Sequence, residues 1–324
     1  MRVAAIDIGT NSVLLLVAER RAQGDLVALV ERAHITRLGQ GVDASGTLAP
    51  GAVERTLLCL AQYAEEIRTQ RVDALDVVGT SALRDVSSGA MVGRRAGPSA
   101  ADFIRRAGEI LGVVPRVVSG DEEALLAFAG GMLGLNLSGE VSAFDVGGGS
   151  TEVIDGRVDQ ETASVRLRRS IDVGSVRLFE RHVRSDPPRP AEMAALRAFV
   201  LEQLAETAAP APGRPLVGMA GTVTSIAAVA KGIDPYDPAR VHGTRLGARE
   251  IAEVARRLGD LPLSERRKVR GLDPNRADVI PVGAAIVEAL VQWSGATEVI
   301  VSDRGVRWGV AAAMVRRAGG TSRP

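Results

Sequence analysis

One strand–turn–strand pattern occurs twice in this chain and constrains its fold more than any other feature. Residues 4–17 read AAIDIGTNSVLLLV, and residues 143–153 read AFDVGGGSTEV. Each places an Asp at the end of an apolar run, turns through glycine and small hydroxyl residues, and resumes an apolar run. Such an Asp projects its carboxylate beyond the sheet, where ligands collect in open α/β folds. The repeat predicts an α/β chain built twice on one plan.

Strands alternate with helices along the rest of the sequence, which is α/β order with a mixed sheet. Helices are predicted from Pro50, over 99–112, from Ser119, over 191–208, after the turn AGTVTS, and in a short segment near the C-terminus. The predicted strands cover 3–8, 14–19, 26–33, 72–79, 113–118, 141–145, 151–154, 162–171, 216–219 and 298–302. We predict two domains: residues 1–118 with 304–324, and residues 119–303.

The composition excludes several classes of protein. A length of 324 residues with a net charge of +1 gives no basic field for nucleic acid. The single cysteine, Cys59, excludes an internal disulfide, and its place in an apolar helical stripe predicts a core position. The spacing of the three histidines, His34, His182 and His242, does not match that of metal ligands. With no charged leader and no membrane-length apolar stretch, we expect a cytoplasmic protein without membrane or nucleic-acid partners.

The repeated turns have a physical use in binding phosphate. Glycine and small residues leave backbone N–H groups unshielded, so that a hairpin can wrap a phosphate closely. Two hairpins facing one another would hold a phosphate chain from both sides, with Asp7 and Asp145 sharing a hydrated Mg²⁺. Taken singly, each turn could equally be an ordinary hairpin or a flexible loop. The predicted phosphate-binding residues of the two turns are Thr10, Asn11, Ser12, Gly147, Gly148, Gly149 and Ser150.

The helix after Val118 carries two acids in its first turn. Ser119 as N-cap with Glu122 three residues on fits a capping box, which gives Glu122 a structural role. Glu123 lies about 100° further round the helix and is left free for chemistry. The alternative is that both are first-turn acids favoured by the helix dipole.

Two further motifs give weaker phosphate sites. In GTSALRDV, hydroxyl groups and Arg84 follow a strand and could hold a second phosphate, or Arg84 could be a solvated side chain at a helix N-terminus. In GMAGTVTS, Gly221 and Thr222 could form a tight strand-to-helix connection with Thr222 as cap, or bind adenosine or phosphate, as the family resemblance described next implies. Both alternatives stay open at this point.

The motifs together resemble the exopolyphosphatase and guanosine pentaphosphate phosphohydrolase (Ppx/GppA) family, in the actin, Hsp70 and sugar-kinase superfamily of duplicated ribonuclease-H-like domains. The resemblance extends over nearly the whole chain, and the chain ends soon after its last motif, as in short two-domain members. It implies an interdomain cleft and hydrolysis of phosphoanhydrides. The motifs are IDIGTNS, GTSALRDV, VVSGDEEA, DVGGGSTE, SIDVGSVRL, GMAGTVTSIAA, GLDPNRADVIPVG and VSDRGVRWG.

The resemblance also implies roles for individual residues. Glu123 would activate a water for attack on the terminal phosphorus, and Asp7 and Asp145 would hold the metal, with Glu152 in support. Glu152 could instead be an outward-facing strand residue. The implied cofactor is Mg²⁺, with Mn²⁺ as the alternative. The implied substrates are inorganic polyphosphate and guanosine pentaphosphate, a nucleotide of the stringent response, and a homodimer is common in the family.

Three positions depart from the family pattern. Leu14 and Leu125 stand where basic residues are common, and Trp308 stands where Glu is frequent. Three functions therefore compete: a Mg²⁺-dependent hydrolase, a kinase of the same superfamily, and a non-catalytic sensor of polyphosphate or guanosine alarmones. We find no acceptor-pocket signature for a kinase, and only Leu14 and Leu125 favour a sensor.

Overall fold

The computed structural model describes residues 1–21, 26–87, 99–159 and 162–320. In chain order the elements are β1 Arg2–Ile8, β2 Ser12–Arg20, β3 Leu26–Ile35, α1 Val42–Ser45, α2 Pro50–Gln70, β4 Ala74–Gly79, α3 Ser81–Ser87, α4 Ala100–Leu111, β5 Arg116–Val117, α5 Gly120–Met132, β6 Gly139–Val146, β7 Thr151–Val158, β8 Ala163–Ile171, α6 Ser175–His182, α7 Pro190–Ala205, β9 Leu216–Met219, α8 Ala220–Lys231, α9 Pro238–Val241, β10 Arg245–Gly247, α10 Ala248–Asp260, α11 Leu263–Arg266, a 3₁₀ turn Pro274–Arg276, α12 Ile280–Ser294, β11 Glu298–Ser302 and α13 Val306–Gly320.

The chain divides into two compact units. Unit 1 comprises Met1–Gly130 and Val306–Pro324, and unit 2 comprises Gly131–Gly305. The first residues of α5, with Glu123, therefore pack in unit 1, whereas our sequence-based boundary at residue 118 puts them in the second domain. That division into domains stays a prediction.

Both units are built on the same sheet. The strand order is β3-β2-β1-β4-β5 in unit 1 and β8-β7-β6-β9-β11 in unit 2, where β10 adds an edge strand. In each, three antiparallel strands precede a parallel strand that pairs with the first, β1 with β4 and β6 with β9. The duplicated ribonuclease-H-like plan of the actin-like ATPase type is confirmed by this topology.

Each unit buries its own apolar core. In unit 1 the strands pack against α2 and α4, and Leu15, Leu60 and Phe103 are fully buried or nearly so. Cys59 lies in this core, as predicted, and burial raises the pKa of its thiol. In unit 2 the core is formed around α8 and α12, with Phe144 of β6 at its centre.

Most predicted elements are confirmed, with three differences. The strand predicted over 113–118 shortens to Arg116–Val117, the helix predicted over 191–208 runs over Pro190–Ala205, and the terminal helix is longer than expected. Helices α6, α10 and α12 and strand β10 were not predicted. Of these, α12 is apolar on nearly all sides and lacks a 3.6-residue stripe. In the described part of the chain, no helix combines the length and apolar character that crossing a bilayer requires.

Candidate phosphate-binding and catalytic site

Asp7 ends β1 of unit 1 as a buried carboxylate. Its side chain is 8% exposed, and across the β1–β2 hairpin it faces Leu14. Oδ1 is buried without a hydrogen-bond partner among the described residues. The pKa of Asp7 is raised to about 7, mainly by burial and also by the nearby Glu123 carboxylate, while Arg307 acts to lower it. A buried carboxylate with an unpartnered oxygen is suited to binding a cation.

The turn that follows, residues 9–12, is fixed through its carbonyl groups. Gly9 N–H donates to the Ser12 carbonyl at 3.0 Å, which closes the turn. The Asn11 carbonyl accepts from the N–H groups of Thr36 and Arg37, and the Thr10 carbonyl accepts from Gly39. Among the described residues, the N–H groups of Thr10 and Asn11 donate to no acceptor. Unused N–H groups on a fixed turn are suited to an anion.

Glu123 lies in the first turn of α5 and forms an ion pair with Arg84. Its Oε2 accepts from Arg84 Nη1 at 2.7 Å, and the same nitrogen donates to the Val118 carbonyl at 3.2 Å. The expectation of a free Glu123 is wrong, as is the alternative of a solvated Arg84, because the two groups lie close together in unit 1. The pairing holds the Glu123 carboxylate in one orientation.

The neighbouring Glu122 has a structural role, but only half of the predicted capping box forms. Ser119 Oγ accepts from Glu122 N–H at 3.1 Å, which caps α5. The Glu122 carboxylate accepts instead from Arg116, which forms an ion pair with it. The two adjacent acids therefore have different partners, Arg116 for Glu122 and Arg84 for Glu123.

Unit 2 repeats the hairpin with different side chains. Gly147 N–H donates to the Ser150 carbonyl at 2.9 Å, and the Gly148 carbonyl accepts from Val176 and Arg177. Among the residues described, no acceptor takes the N–H groups of Gly148, Gly149 or Ser150. A Cβ at Gly174 would lie 2.3 Å from the Gly149 carbonyl carbon, so glycine is required where that segment crosses the turn.

Asp145 of unit 2 faces Glu152 across its hairpin, where Asp7 faces Leu14. Glu152 Oε1 accepts from Ser150 Oγ at 2.6 Å and from Ser170 Oγ at 3.1 Å. Its carboxylate is thereby tied to the turn, and the alternative of an outward-facing strand residue stays open. Ser150 therefore donates its hydroxyl to Glu152, and its carbonyl accepts the hydrogen bond that closes the turn.

In each unit one threonine, next to the end of the parallel strand, forms a hydrogen bond to the hairpin. Thr222 Oγ1 donates to the Val146 carbonyl at 2.9 Å, and Thr80 Oγ1 makes the corresponding contact with Ile8 at 3.5 Å. The strand-to-helix connection is tight, since α8 begins directly after β9. The expected cap is wrong, because no side-chain hydrogen bond caps α8 and the Thr222 hydroxyl donates to β6 instead. A phosphate role for Gly221 and Thr222 stays a prediction.

Sequence reasoning missed Arg276, which lies against that same turn. Gly221 leaves room for its guanidinium, because a Cβ there would lie 2.0 Å from Nη1. Burial lowers the Arg276 pKa, while Asp273, Tyr236, Asp303 and Asp145 oppose the shift. The available signal was an Arg inside the motif GLDPNRADVIPVG, but nothing in the sequence indicated which turn it contacts.

The three positions that depart from the family pattern differ in their surroundings. Trp308 is buried, and its Nε1 donates to Glu31 Oε2 at 3.3 Å, the oxygen that also binds Arg307 at 2.8 Å. Leu14 is half-buried opposite Asp7, whereas Leu125 is 45% exposed.

The carboxylates fit a hydrated divalent cation better than a protein-only metal cage. No group of three His, Cys, Asp or Glu residues in the described ranges is placed to hold a metal. Mg²⁺ commonly uses one or two carboxylates and completes its shell with waters and substrate phosphates. The orphaned Asp7 Oδ1 in unit 1 and the Asp145–Glu152 pair in unit 2 suit that mode of binding.

The repeated sheets and hairpins define a chain of two ribonuclease-H-like units, and comparison with known proteins gives its family. The Ppx/GppA phosphatase family model matches residues 16–318. Exopolyphosphatase 2 of Mycobacterium tuberculosis is 36% identical over 96% of this chain and 97% of its own. The chain belongs to the Ppx/GppA phosphatase family.

Solved structures agree with this assignment. A crystal structure of the Aquifex aeolicus family member superposes with a TM-score of 0.81 at 32% identity, covering 98% of each chain. A crystal structure of an exopolyphosphatase-like protein gives a TM-score of 0.85 at 31% identity, again covering 98% of both chains.

Proposed function

We propose that this protein is a Mg²⁺-dependent exopolyphosphatase that releases terminal phosphate from inorganic polyphosphate. Family membership and the similarity to Exopolyphosphatase 2 support the substrate class. The observation that carries the chemistry is local to unit 1: a helix-borne glutamate, fixed by Arg84, lies close enough to Asp7 to raise its pKa.

In this proposal Glu123 acts as the general base. Its carboxylate accepts a proton from a water whose oxygen attacks the terminal phosphorus, the bridging P–O bond breaks, and the shortened chain leaves as an oxyanion. Arg84 orients Glu123 through the 2.7 Å ion pair and adds positive charge beside the phosphate oxygens.

The turns bind phosphate oxygens through backbone N–H groups. Thr10 and Asn11 in unit 1 and residues 148–150 in unit 2 supply N–H donors that no described protein group uses. In unit 1 Asp7, and in unit 2 Asp145 with Glu152, are the residues that would ligate Mg²⁺ or Mn²⁺; the bound ion would neutralise phosphate charge and polarise the P–O bonds. A preformed donor set costs no reorganisation during the reaction.

Guanosine pentaphosphate is the second substrate in this proposal, because its 5′ terminal phosphate presents the same anhydride. The alternative is a non-catalytic sensor of polyphosphate or guanosine alarmones with the same fold. It would use the turns for binding and leave Glu123 in its ion pair with Arg84 as a structural group.

Phosphate release by the purified protein with Mg²⁺ tests this proposal. Long-chain polyphosphate, tripolyphosphate, guanosine pentaphosphate and ATP are compared, and Glu123→Ala is measured beside Glu122→Gln. We expect release from polyphosphate that falls by about a thousandfold in Glu123→Ala and changes less than about threefold in Glu122→Gln, since Glu122 pairs with Arg116. No release from any substrate, together with tight polyphosphate binding, would establish the sensor instead.

A further inference from the structure

A cavity of about 400 Å³ lies at the end of the unit 2 sheet that is opposite the hairpin turn. Its walls come from the segments that precede the parallel strands β6, β9 and β11, and from Ser142 and Leu216, which pair in the sheet. Asp145 lies three residues beyond Ser142 on β6, which is about 10 Å in an extended strand. The cavity is therefore separate from the candidate phosphate-binding and catalytic residues.

One wall of the cavity is the loop before β9, residues 210–215, which reads PAPGRP. Its three prolines restrict the backbone before any ligand binds. Gly213 has a φ of 80°, a left-handed conformation that glycine adopts without strain. The Pro215 carbonyl accepts from Ser142 N–H at 3.0 Å, which ties the loop to β6. Arg214 lies between these two fixed residues, so an ordered backbone holds it at the cavity.

The Arg214 guanidinium is placed by charge and keeps its hydrogen-bond donors available. Its Nη2 lies 3.7 Å from Glu140 Oε2, and its Nη1 lies 3.8 Å from Asp155 Oδ1. Both distances exceed hydrogen-bond length. Among the described residues, the side chain forms these two ion pairs and no hydrogen bond, although it is only 26% exposed. A ligand with acceptor oxygens would satisfy these donors.

The acids beside Arg214 are shared with other arginines, which leaves positive charge in excess. Glu140 pairs with three arginines and Asp155 with two. Within the described part of the chain, this network consists of four arginines and three acids: Arg157, Arg166, Arg169, Arg214, Glu140, Asp155 and Asp159. One positive charge therefore has no acid of its own, and a ligand with a single negative charge would balance it.

The rest of the cavity suits an apolar body. Arg245 and Glu298 at its edge form an ion pair with each other, so they add no net charge. Most other lining residues are apolar or small, among them Leu137, Pro210, Leu216, Ala296 and Ile300. Cavities of this volume, with apolar walls and a few placed polar groups, are typical of small-molecule sites.

We propose that this cavity binds a small organic carboxylate, with its carboxylate on Arg214 and its apolar body between the proline-rich loop and β11. Guanidinium groups bind carboxylates through paired N–H donors, which gives such a contact both strength and direction. The single excess charge favours a carboxylate over a phosphate ester, which carries up to two charges. This site shares no residue with the proposed hydrolase and does not depend on it.

The test compares an anionic ligand with a neutral ligand of the same shape. The probes are 2-naphthoate and 2-naphthamide, and binding to the full chain in metal-free buffer is measured by calorimetry. Arg214→Gln removes the cavity cation. Arg166→Gln is the matched control, since Arg166 also pairs with Glu140 but is 58% exposed and lies outside the cavity lining. Each naphthoate titration is repeated with 2-naphthyl phosphate as ligand and with tripolyphosphate as competitor.

We expect 2-naphthoate to bind the wild-type protein at one site, at least about tenfold more tightly than 2-naphthamide. Arg214→Gln should abolish this difference, whereas Arg166→Gln should change it by less than about threefold. Tripolyphosphate should not displace the naphthoate, and 2-naphthyl phosphate should bind no more tightly than naphthoate.

Equal binding of the two naphthalene ligands by the wild-type protein would overturn the inference without any variant having to fold. A preference for naphthoate that survives in Arg214→Gln would also overturn it, as would displacement by tripolyphosphate, which would place the ligand at the phosphate-binding turns. Tighter binding of the phosphate ester would overturn the carboxylate class. None of these readouts involves phosphate release, so failure here and failure of the proposed hydrolase are distinguishable.

Discussion

The two hairpins share a backbone but differ in the side chain that faces the strand-end Asp. In unit 1 the buried Asp7 faces Leu14, and in unit 2 the half-buried Asp145 faces Glu152. Glu123, with Arg84 as its partner, lies near Asp7. The polar groups of unit 2 are instead tied to its turn. A duplicated fold can therefore keep one hairpin twice and differ in the acidic groups that surround it.

The largest stability difference between the copies should appear when each Asp is neutralised. The Asp7 pKa is about 7 in the folded protein and 3.8 in the reference state, so the unfolded chain binds fewer protons between these values. Stability contributed by protonated Asp7 is present below pH 3.8 and is lost as the pH rises towards 7. In metal-free buffer, Asp7→Asn should gain stability over wild type across that window, reaching roughly 4 kcal/mol at neutral pH.

Urea unfolding at pH 4 to 8 in the presence of a chelator measures this difference. Asp145→Asn is the matched variant. We expect it to gain less stability than Asp7→Asn, because Asp145 is only partly buried. Equal gains in the two variants, or a gain at Asp7 that does not depend on pH, would show that burial does not separate the two hairpins.

A smaller contrast should appear where a glycine packs on each turn. Gly174→Ala brings a Cβ to 2.3 Å from the backbone of unit 2's turn, whereas Gly39→Ala meets the Thr10 methyl at 2.4 Å. A side chain can rotate away, whereas a turn backbone cannot. We therefore expect Gly174→Ala to lower the free energy of unfolding by about 3 kcal/mol and Gly39→Ala to lower it by about 1 kcal/mol. Thermal unfolding of both variants checks the order, and a larger loss at Gly39 would contradict it.

Local features of this fold were predictable from sequence because their cause is local. The strand-end Asp, the turn glycines and the β-branched strand that follows specify a hairpin within about 14 residues, and both hairpins form where expected. Pro50 begins α2, and Ser99 caps α4. Helix α12 could not be found by periodicity, because almost its whole surface is buried.

The contacts that define the candidate site were harder to predict, because they join distant segments. Arg84 and Glu123 are 39 positions apart, and either side chain alone is consistent with a solvated surface residue. Arg276 lies against Gly221, 55 positions earlier in the chain. Trp308, which stands where the family frequently has Glu, donates a hydrogen bond to the carboxylate of Glu31 on β3. These pairs depend on tertiary packing, which a single sequence does not show.

Single-turnover phosphate release from polyphosphate, with Glu123→Gln and Glu152→Gln measured side by side, tests the central claim that only unit 1 carries the base. At saturating polyphosphate we expect Glu123→Gln to slow release by about a thousandfold while still binding the polymer. Glu152→Gln should keep release within about tenfold of wild type and show its main effect on affinity. Release at the wild-type rate by Glu123→Gln, or an equal loss in both variants, would contradict the account.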